Sequence, residues 1–207
     1  VVPLLSETPG RITGWSRAPG SDNAAVLGER LGYAPSRIRR ATEVAPHDVR
    51  GYLSLGDLTY QTGDFAAAEQ AFRGALRENS SQPEALNNLA WILAEQRAAY
   101  EEALGYSRKA VAARPGDANF RDTLGYVYQK SGKLEEARAE FRRGVELAPP
   151  GSPLRAKLLF HQAQVCTLLQ DHEPVGGYLQ EALGAESAAP IFSPAEHAEI
   201  ERMWSRT

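Results

Sequence analysis

The stretch that decides the fold is residues 117–149, DANFRDTLGYVYQKSGKLEEARAEFRRGVELAP. Apolar and small residues recur in it at helical spacing, first before and then after a break at Gly132. That pattern predicts two amphipathic helices joined by a tight turn. The stretch is therefore interpreted as one helix–turn–helix unit.

The same unit recurs upstream at intervals of 34 or 35 residues. Three columns of small residues keep this interval: Gly56, Ala90 and Gly125; Ala68, Ala103 and Ala137; and Ala75, Ala110 and Gly144. A period of this length predicts a solenoid, in which each unit packs on its neighbours. Small residues let the helices of a unit approach closely. We therefore expect Ala137→Leu to lower the melting temperature, since such overpacking costs about 1–3 kcal/mol.

The period divides the chain into an array and two flanks. We predict the array over residues 48–184, with units at about 48–81, 82–116, 117–151 and a degenerate 152–184. Residues 1–22 are predicted to be an irregular N-terminal arm, and residues 23–47 a partial repeat. A C-terminal capping helix is expected within 185–207, beginning after Ser193 and covering the end of the stack.

Local signals indicate where individual helices begin and end. Gly63 suits the left-handed conformation that follows a helix, and Asp64 suits the cap of the next helix. Ser81 and Glu84 have the spacing of a capping box. The turn of the second unit, residues 96–99, lacks glycine and is one residue longer than its counterparts.

The composition argues against several classes of partner. The 207 residues carry a net charge of −3 with both signs scattered, so no basic stripe predicts a nucleic-acid partner. The longest apolar stretches, such as residues 86–94, are too short for direct membrane insertion. Cys166, the single cysteine, cannot form an internal disulfide and is expected to be a small buried residue.

The compartment stays open at this level. The chain begins with Val1 and has Met203 as its only methionine. We therefore expect the natural start to be missing, because a signal peptide was removed, a longer protein was cut or upstream residues were omitted. An exported protein of the periplasm or cell envelope and a cytoplasmic protein both fit.

No pattern predicts catalysis, a metal site or a cofactor. His161 and Cys166 fall on different faces of one predicted helix, and no second cysteine completes a metal set. Glu101 and Glu102 open a predicted second helix, where the helix dipole favours negative charge. The sequence contains no phosphate-binding glycine loop, nucleophile elbow or zinc motif. We therefore expect a protein that is not an enzyme.

The third unit resembles the tetratricopeptide repeat (TPR) family of bacterial type. The residues that carry the resemblance are Leu124-Gly125, Tyr128, Gly132, Leu134, Ala137, Phe141 and Pro149. The resemblance covers roughly residues 48–184 and departs from the family pattern at Ser80, Ser107 and the turn after Gln96. It implies an all-α, right-handed α-solenoid that serves as a non-catalytic protein-interaction module.

The resemblance also implies where a partner would bind, since the first helix of each repeat lines the concave groove in this family. The groove is expected to receive Arg50, Leu53, Asp57, Tyr60, Asn87, Asn88, Trp91, Asp122, Tyr126, Gln129 and Lys130, and from the fourth repeat Phe160, His161 and Gln164. Trp91 and Tyr126 are of the type that anchors binding hot spots, and Asn88 can bond a peptide backbone. Asp122 would repel a carboxylate, which disfavours a clamp for a C-terminal carboxylate. Some of these residues could instead be solvated or pack on a neighbouring repeat.

Three functions remain open from the sequence. The first is a scaffold that binds a partner protein or peptide through the groove or through the arm, with Trp15 as its anchor, in a bacterial envelope, secretion, pilus or polysaccharide assembly. The second is a structural subunit of a larger membrane or secreted complex, held by the convex face and the arm. The third is a regulatory fragment of a longer enzyme. For the first, Trp91→Ala is expected to weaken partner capture by about 2 kcal/mol and barely to change stability.

Overall fold

The computed structural model describes residues 47–171, 174–187 and 190–205, and within these ranges the chain is helical with no strand. The helices are α1 (Val49–Gln61), α2 (Phe65–Glu78), α3 (Pro83–Arg97), α4 (Tyr100–Ala113), α5 (Ala118–Lys130), α6 (Leu134–Leu147), α7 (Pro153–Leu168), α8 (Val175–Gly184) and α9 (Pro194–Trp204). A 3₁₀ turn, Ala185–Ser187, follows α8. The predicted arm with Trp15, and the predicted partial repeat apart from His47, lie outside the described residues.

The helices pack in chain order as successive pairs. Helix α1 packs on α2, α3 on α4, α5 on α6 and α7 on α8, and the second helix of each pair also contacts the first helix of the next. This translational succession is an α-solenoid, so the predicted fold class is confirmed. Helix α9 packs on α7 and α8 and buries Ile200 and Met203 at the end of the stack.

The two helices of a pair meet along a seam of small residues. A Cβ atom added to Gly56 would lie 2.5 Å from the ring of Phe72, and one added to Gly125 would lie 2.6 Å from the ring of Phe141. Atoms cannot approach so closely, so any side chain at these positions would separate the helices. Ala137 faces the same seam from α6 and is completely buried. The small-residue columns are therefore a packing requirement.

The helix boundaries agree in part with the sequence signals. Gly63 has a φ of 79°, and the Asp64 carboxylate accepts a hydrogen bond from the Ala67 amide at 3.0 Å, as predicted. Ser193 and Glu196 form the capping box of α9. Both ends of the array thus carry the local chemistry that their sequences indicate.

The predicted capping box at Ser81 is wrong. Pro83 is the first residue of α3, so the cap falls at Gln82, which makes no side-chain capping bond. The Ser81 hydroxyl instead donates to Asn79 Oδ1 at 3.0 Å. Proline favours the first helical position, and here it moves the helix start one residue beyond the serine.

The turn of the second pair is two residues, Ala98 and Ala99, against three in the first and third pairs, so the prediction of a longer turn is wrong, because the extra residue lies in α3. The turn also replaces glycine with a strained alanine. Ala98 has φ 51° and ψ 27°, the left-handed conformation, and its amide bonds to the Leu93 carbonyl at the end of α3. Gly132 has a φ of 77° in the equivalent turn of the third pair. Left-handed backbone costs an L-residue about 1–2 kcal/mol, so this turn is a weak point of the array.

Candidate functional site

The first helices form the inner layer of the solenoid. Helix α3 contacts α5, and α5 contacts α7, so first helices of successive pairs are neighbours. Successive second helices make no comparable contact within the described residues, and this difference is expected when α1, α3, α5 and α7 lie on the inner side of a curved stack. We call the surface that they present the inner face.

Three aromatic side chains cross the inner face from α1 to α5. They are Tyr60, Trp91 and Tyr126, all half-buried, and we call them the aromatic strip. The indole N–H of Trp91 donates to the Tyr60 hydroxyl at 2.7 Å. The rings of Trp91 and Tyr126 stack with centroids 4.4 Å apart and planes 29° apart. The Trp91 N–H and the Tyr60 hydroxyl thus bond to each other, and the part of the strip that stays exposed is largely aromatic carbon.

Two charged side chains flank the strip. The Tyr126 hydroxyl donates to the Glu95 carboxylate, and Glu95 is otherwise exposed. The Lys130 ammonium lies 5.1 Å from the centroid of the Tyr126 ring, within the range of a cation–π contact. Burial raises the pKa of the Tyr126 phenol, and the hydrogen bond to Glu95 and the charge of that carboxylate raise it further. Tyr126 therefore acts as a donor near neutral pH.

Several predicted groove residues are enclosed between neighbouring helices. Asn88 Nδ2 donates to Asp57 Oδ1 at 3.1 Å, and both residues are buried. Asn87 is completely buried, and its Oδ1 atom has no hydrogen-bond partner within the described part of the chain. Phe160 is also buried, in the core under α7. These side chains join the repeats, and a direct contact with a partner does not fit Asn87 or Phe160.

Four further predicted residues lie on α1, α5 and α7. Arg50 is exposed near the start of α1, with its Nε atom 3.3 Å from Asp48 Oδ1, and Leu53 packs on the core. Asp122 and His161 join α5 to α7 through an Oδ1–Nδ1 contact of 2.7 Å. The centroid of the His161 ring also lies 6.2 Å from that of the Tyr126 ring, so this pair borders the aromatic strip.

A chain of amide contacts leads from the inner face to α9. Gln129 Nε2 lies 3.5 Å from Gln164 Oε1, and Gln164 Nε2 donates to Glu199 Oε1 at 2.9 Å. These residues line a cleft of about 200 Å³, which Leu168 and Arg202 also border. Leu168 is 57% exposed at its edge. The cleft gives the C-terminal end of the stack a second, smaller surface.

The sequence reasoning missed Glu95 and Glu199. Glu95 follows Trp91 by four residues, which places both on one helix face, so the available signal was helical spacing. Glu199 lies on α9, which was interpreted as a cap alone. Helical spacing does not reveal what the two carboxylates contact, because their bonds to Tyr126 and Gln164 join different helices.

Potential metal ligands do not cluster in the part of the chain that the structure describes. In residues 47–171, 174–187 and 190–205, no three side chains of the types His, Cys, Asp and Glu converge as metal ligands would. Cys166 is buried, as predicted. Over the same ranges, no helix combines the length and apolar character that crossing a bilayer requires.

Solved structures of two proteins share this architecture. MamA from Desulfovibrio magneticus RS-1 superposes with a TM-score of 0.68 at 20% identity, over 86% of this chain and 98% of that one. YrrB, described as a TPR protein with an unusual peptide-binding site, superposes with a TM-score of 0.63 at 21% identity, over 89% and 92%. At these identities the likeness concerns the fold.

Curated relatives are similar in sequence but much longer. A TPR repeat-containing protein of Treponema pallidum is 26% identical over 97% of this chain and 23% of its own length. Cellulose synthase operon protein C of Xanthomonas axonopodis pv. citri is 24% identical over 60% of this chain and 11% of its own length. The chain thus spans less than a quarter of either relative.

Two sequence profiles described as tetratricopeptide repeats match the chain. One matches residues 34–83 and 53–118, and the other matches residues 118–150. Together they cover residues 34–150, more than half of the 207 residues. The chain belongs to the tetratricopeptide repeat family.

Proposed function

We propose that the chain is a non-catalytic protein-interaction module that holds a segment of a partner protein against the aromatic strip. The observation that carries the proposal is the strip itself, three half-buried aromatic side chains joined across α1, α3 and α5. Large, rigid rings give contact area at low entropic cost, which is why such residues dominate binding hot spots.

The geometry favours an extended segment over a small molecule. The strip crosses successive helices, so its occupant must reach over several repeats, and the contacts between its members keep it assembled before binding. A preorganised surface loses little conformational freedom when a partner arrives. YrrB, which has this fold, is described as having a peptide-binding site, in line with the same use here.

The strip also contributes to stability, which changes one expectation. Trp91 stacks on Tyr126 and donates to Tyr60, so Trp91→Ala removes packing and leaves a hydroxyl without its donor. The expectation that this substitution barely changes stability is therefore revised to a modest loss, on the order of 1–2 kcal/mol. Binding must be measured at a temperature where the variant remains folded.

A displayed library of random dodecapeptides tests the proposal. The library is selected on the wild-type chain, and the binders are measured on Trp91→Ala and on the control Trp204→Ala, since Trp204 lies on α9 away from the strip. We expect Trp91→Ala to weaken the dominant binders by about 30-fold or more, a hot-spot effect, and Trp204→Ala to leave them unchanged. Binders that tolerate Trp91→Ala would contradict the proposal.

A second candidate is a subunit held by its C-terminal end within a larger assembly, such as an assembly of the bacterial envelope. The cleft beside α9, with Leu168 57% exposed at its edge, favours this alternative. The same library distinguishes the two, because binders that are lost with Leu168→Ser and retained with Trp91→Ala would assign binding to that end.

A further inference from the structure

We propose that the segment held by the aromatic strip presents a lysine or arginine side chain to Glu95, so that the module selects basic partner segments. This inference rests on the proposed function and specifies its partner. It follows from the position of one carboxylate, its lack of a cationic partner, and the ring surface beside it.

Glu95 cannot remain in water when the strip is covered. Its carboxylate accepts a hydrogen bond from the Tyr126 hydroxyl. Glu95 lies one helical turn beyond Trp91 on the same face of α3. Any segment that covers the rings of Trp91 and Tyr126 therefore also excludes water from Glu95. The carboxylate then loses hydration that the partner must replace.

The chain itself does not supply the replacement. Within the described residues, no lysine, arginine or histidine lies within ion-pair distance of Glu95, whereas Glu69, Glu84 and Glu140 each have an arginine partner. Burying a carboxylate with a single neutral donor is costly. A cationic side chain offsets the cost best, because hydrogen bonds between charged groups are about twice as strong as neutral ones.

The ring surface beside Glu95 is suited to the same cation. The Tyr126 ring already stacks on Trp91 and has the Lys130 ammonium 5.1 Å from its centroid, so the partly exposed indole of Trp91 is the ring surface that an incoming cation can use. Asp57 and Asp122 lie on the neighbouring first helices, but each contacts a side chain of the chain itself, Asn88 and His161, whereas Glu95 is exposed. An acidic segment would meet repulsion here, and a neutral one would leave Glu95 undercompensated.

The library described above yields the test when it is selected in parallel on the wild type, on Glu95→Gln and on the control Glu136→Gln. Glu136 is an exposed glutamate on α6, so its substitution changes net charge equally without touching the strip. We expect Lys and Arg to be enriched among the Trp91-dependent binders of the wild type and of Glu136→Gln, and the enrichment to disappear with Glu95→Gln.

One selected peptide then gives a double-mutant cycle. Its basic residue is replaced by norleucine, and both peptides are titrated calorimetrically against the wild type and Glu95→Gln. We expect norleucine to weaken binding to the wild type by about tenfold or more and to change binding to Glu95→Gln little.

Equal losses on both proteins, or binders that depend on Trp91 without a basic preference, would overturn this inference and leave the proposed function standing. A library that gives no Trp91-dependent binder would overturn both.

Discussion

Two sets of positions in the first helices are adjacent in sequence but differ in how strictly their residue type repeats. One set lies at the seam between the helices of a pair, and the other set is the residue that follows each seam position. Gly56, Ala90 and Gly125 repeat at the seam, and every one is small and buried. The residues that follow them are Asp57, Trp91 and Tyr126, of which the first is a buried acid and the other two are half-buried aromatics. The seam is uniform because each pair must solve the same packing problem. The positions beside the seam vary because they do not all make the same packing contact, so partner recognition can be encoded where they stay partly exposed, as at Trp91 and Tyr126.

The largest effect is expected from overfilling the seam. Ala137 is completely buried on α6, so Ala137→Leu forces three additional carbon atoms between the helices. We expect a loss of about 1–3 kcal/mol of unfolding free energy, measured by urea denaturation. A variant with an unchanged unfolding midpoint would contradict the assigned register of the repeat.

A matched pair of glycines sharpens the comparison. A Cβ at Gly125 would lie 2.6 Å from the Phe141 ring, whereas one at Gly105, on the exposed face of α4, would meet nothing within 4 Å. We expect Gly125→Ala to destabilise by about 1–3 kcal/mol. Gly105→Ala should stabilise by up to about 1 kcal/mol through helix propensity. Thermal melts of the two variants should therefore move in opposite directions, and a shared direction would contradict the steric account of the seam.

A smaller effect is expected at the turns, where glycine takes the left-handed conformation in the first and third pairs but Ala98 and Gln170 take it in the second and fourth. Ala98 adopts φ 51° where the third pair has Gly132 at φ 77°. Ala98→Gly should stabilise by up to about 1 kcal/mol, because relief of left-handed strain exceeds the added entropy of the unfolded chain. The reverse change, Gly132→Ala, should destabilise by about 1 kcal/mol. If both substitutions lower the melting temperature, the strain at Ala98 is not real.

The smallest effect concerns a contact that occurs once, at the end of the array. Glu186 Oε1 accepts the amides of Ile191 and Phe192, each at 2.8 Å, and Oε2 lies 3.2 Å from His197 Nε2. Burial of Glu186 opposes its ionisation, but these amides and His197 outweigh it, and the pKa of Glu186 is lowered. Because the pKa is lower in the folded state, ionised Glu186 stabilises the fold at a pH above its pKa in the unfolded chain, about 4.3. This stabilisation is lost as the pH falls through the pKa of the folded state.

Glu186→Gln tests this pH dependence. The wild type should melt higher than the variant at pH 7, and the difference should shrink as the pH is lowered through 4 towards 3. Differential scanning calorimetry of both proteins across this range gives the comparison. A difference in melting temperature that is independent of pH would show that the charge of the Glu186 carboxylate does not stabilise its contacts with Ile191, Phe192 and His197.

The fold could be predicted because the seam repeats, so each pair confirms the others. The turn at Gly63 and the cap at Ser193 were predictable because they depend on residues close in sequence. Ala98 was not, since a turn without glycine does not reveal which residue takes the left-handed conformation or where the preceding helix ends. The cap at Ser81 was wrong because Pro83 determines where the helix begins.

The inner face could be predicted only as a set of candidates. Helical spacing places Asn87, Asn88 and Trp91 on the same side of α3, but it does not show how far the neighbouring helix covers each one. The structure buries Asn87 and leaves Trp91 half-exposed. Contacts such as that between Tyr126 and Glu95 join different repeats, and the period of a single helix carries no information about them.

Mapping a bound peptide by NMR tests the central claim most directly, which is that binding resides on the varied residues of the inner face. The chain has three tryptophans, Trp15, Trp91 and Trp204, so its indole N–H signals are few and can be assigned by substitution. On titration with a library-selected dodecapeptide, we predict that the Trp91 indole signal and amides of α1, α3 and α5 shift while the Trp204 signal stays in place. Shifts confined to α8, α9 and the second helices, with the Trp91 signal unmoved, would contradict the account.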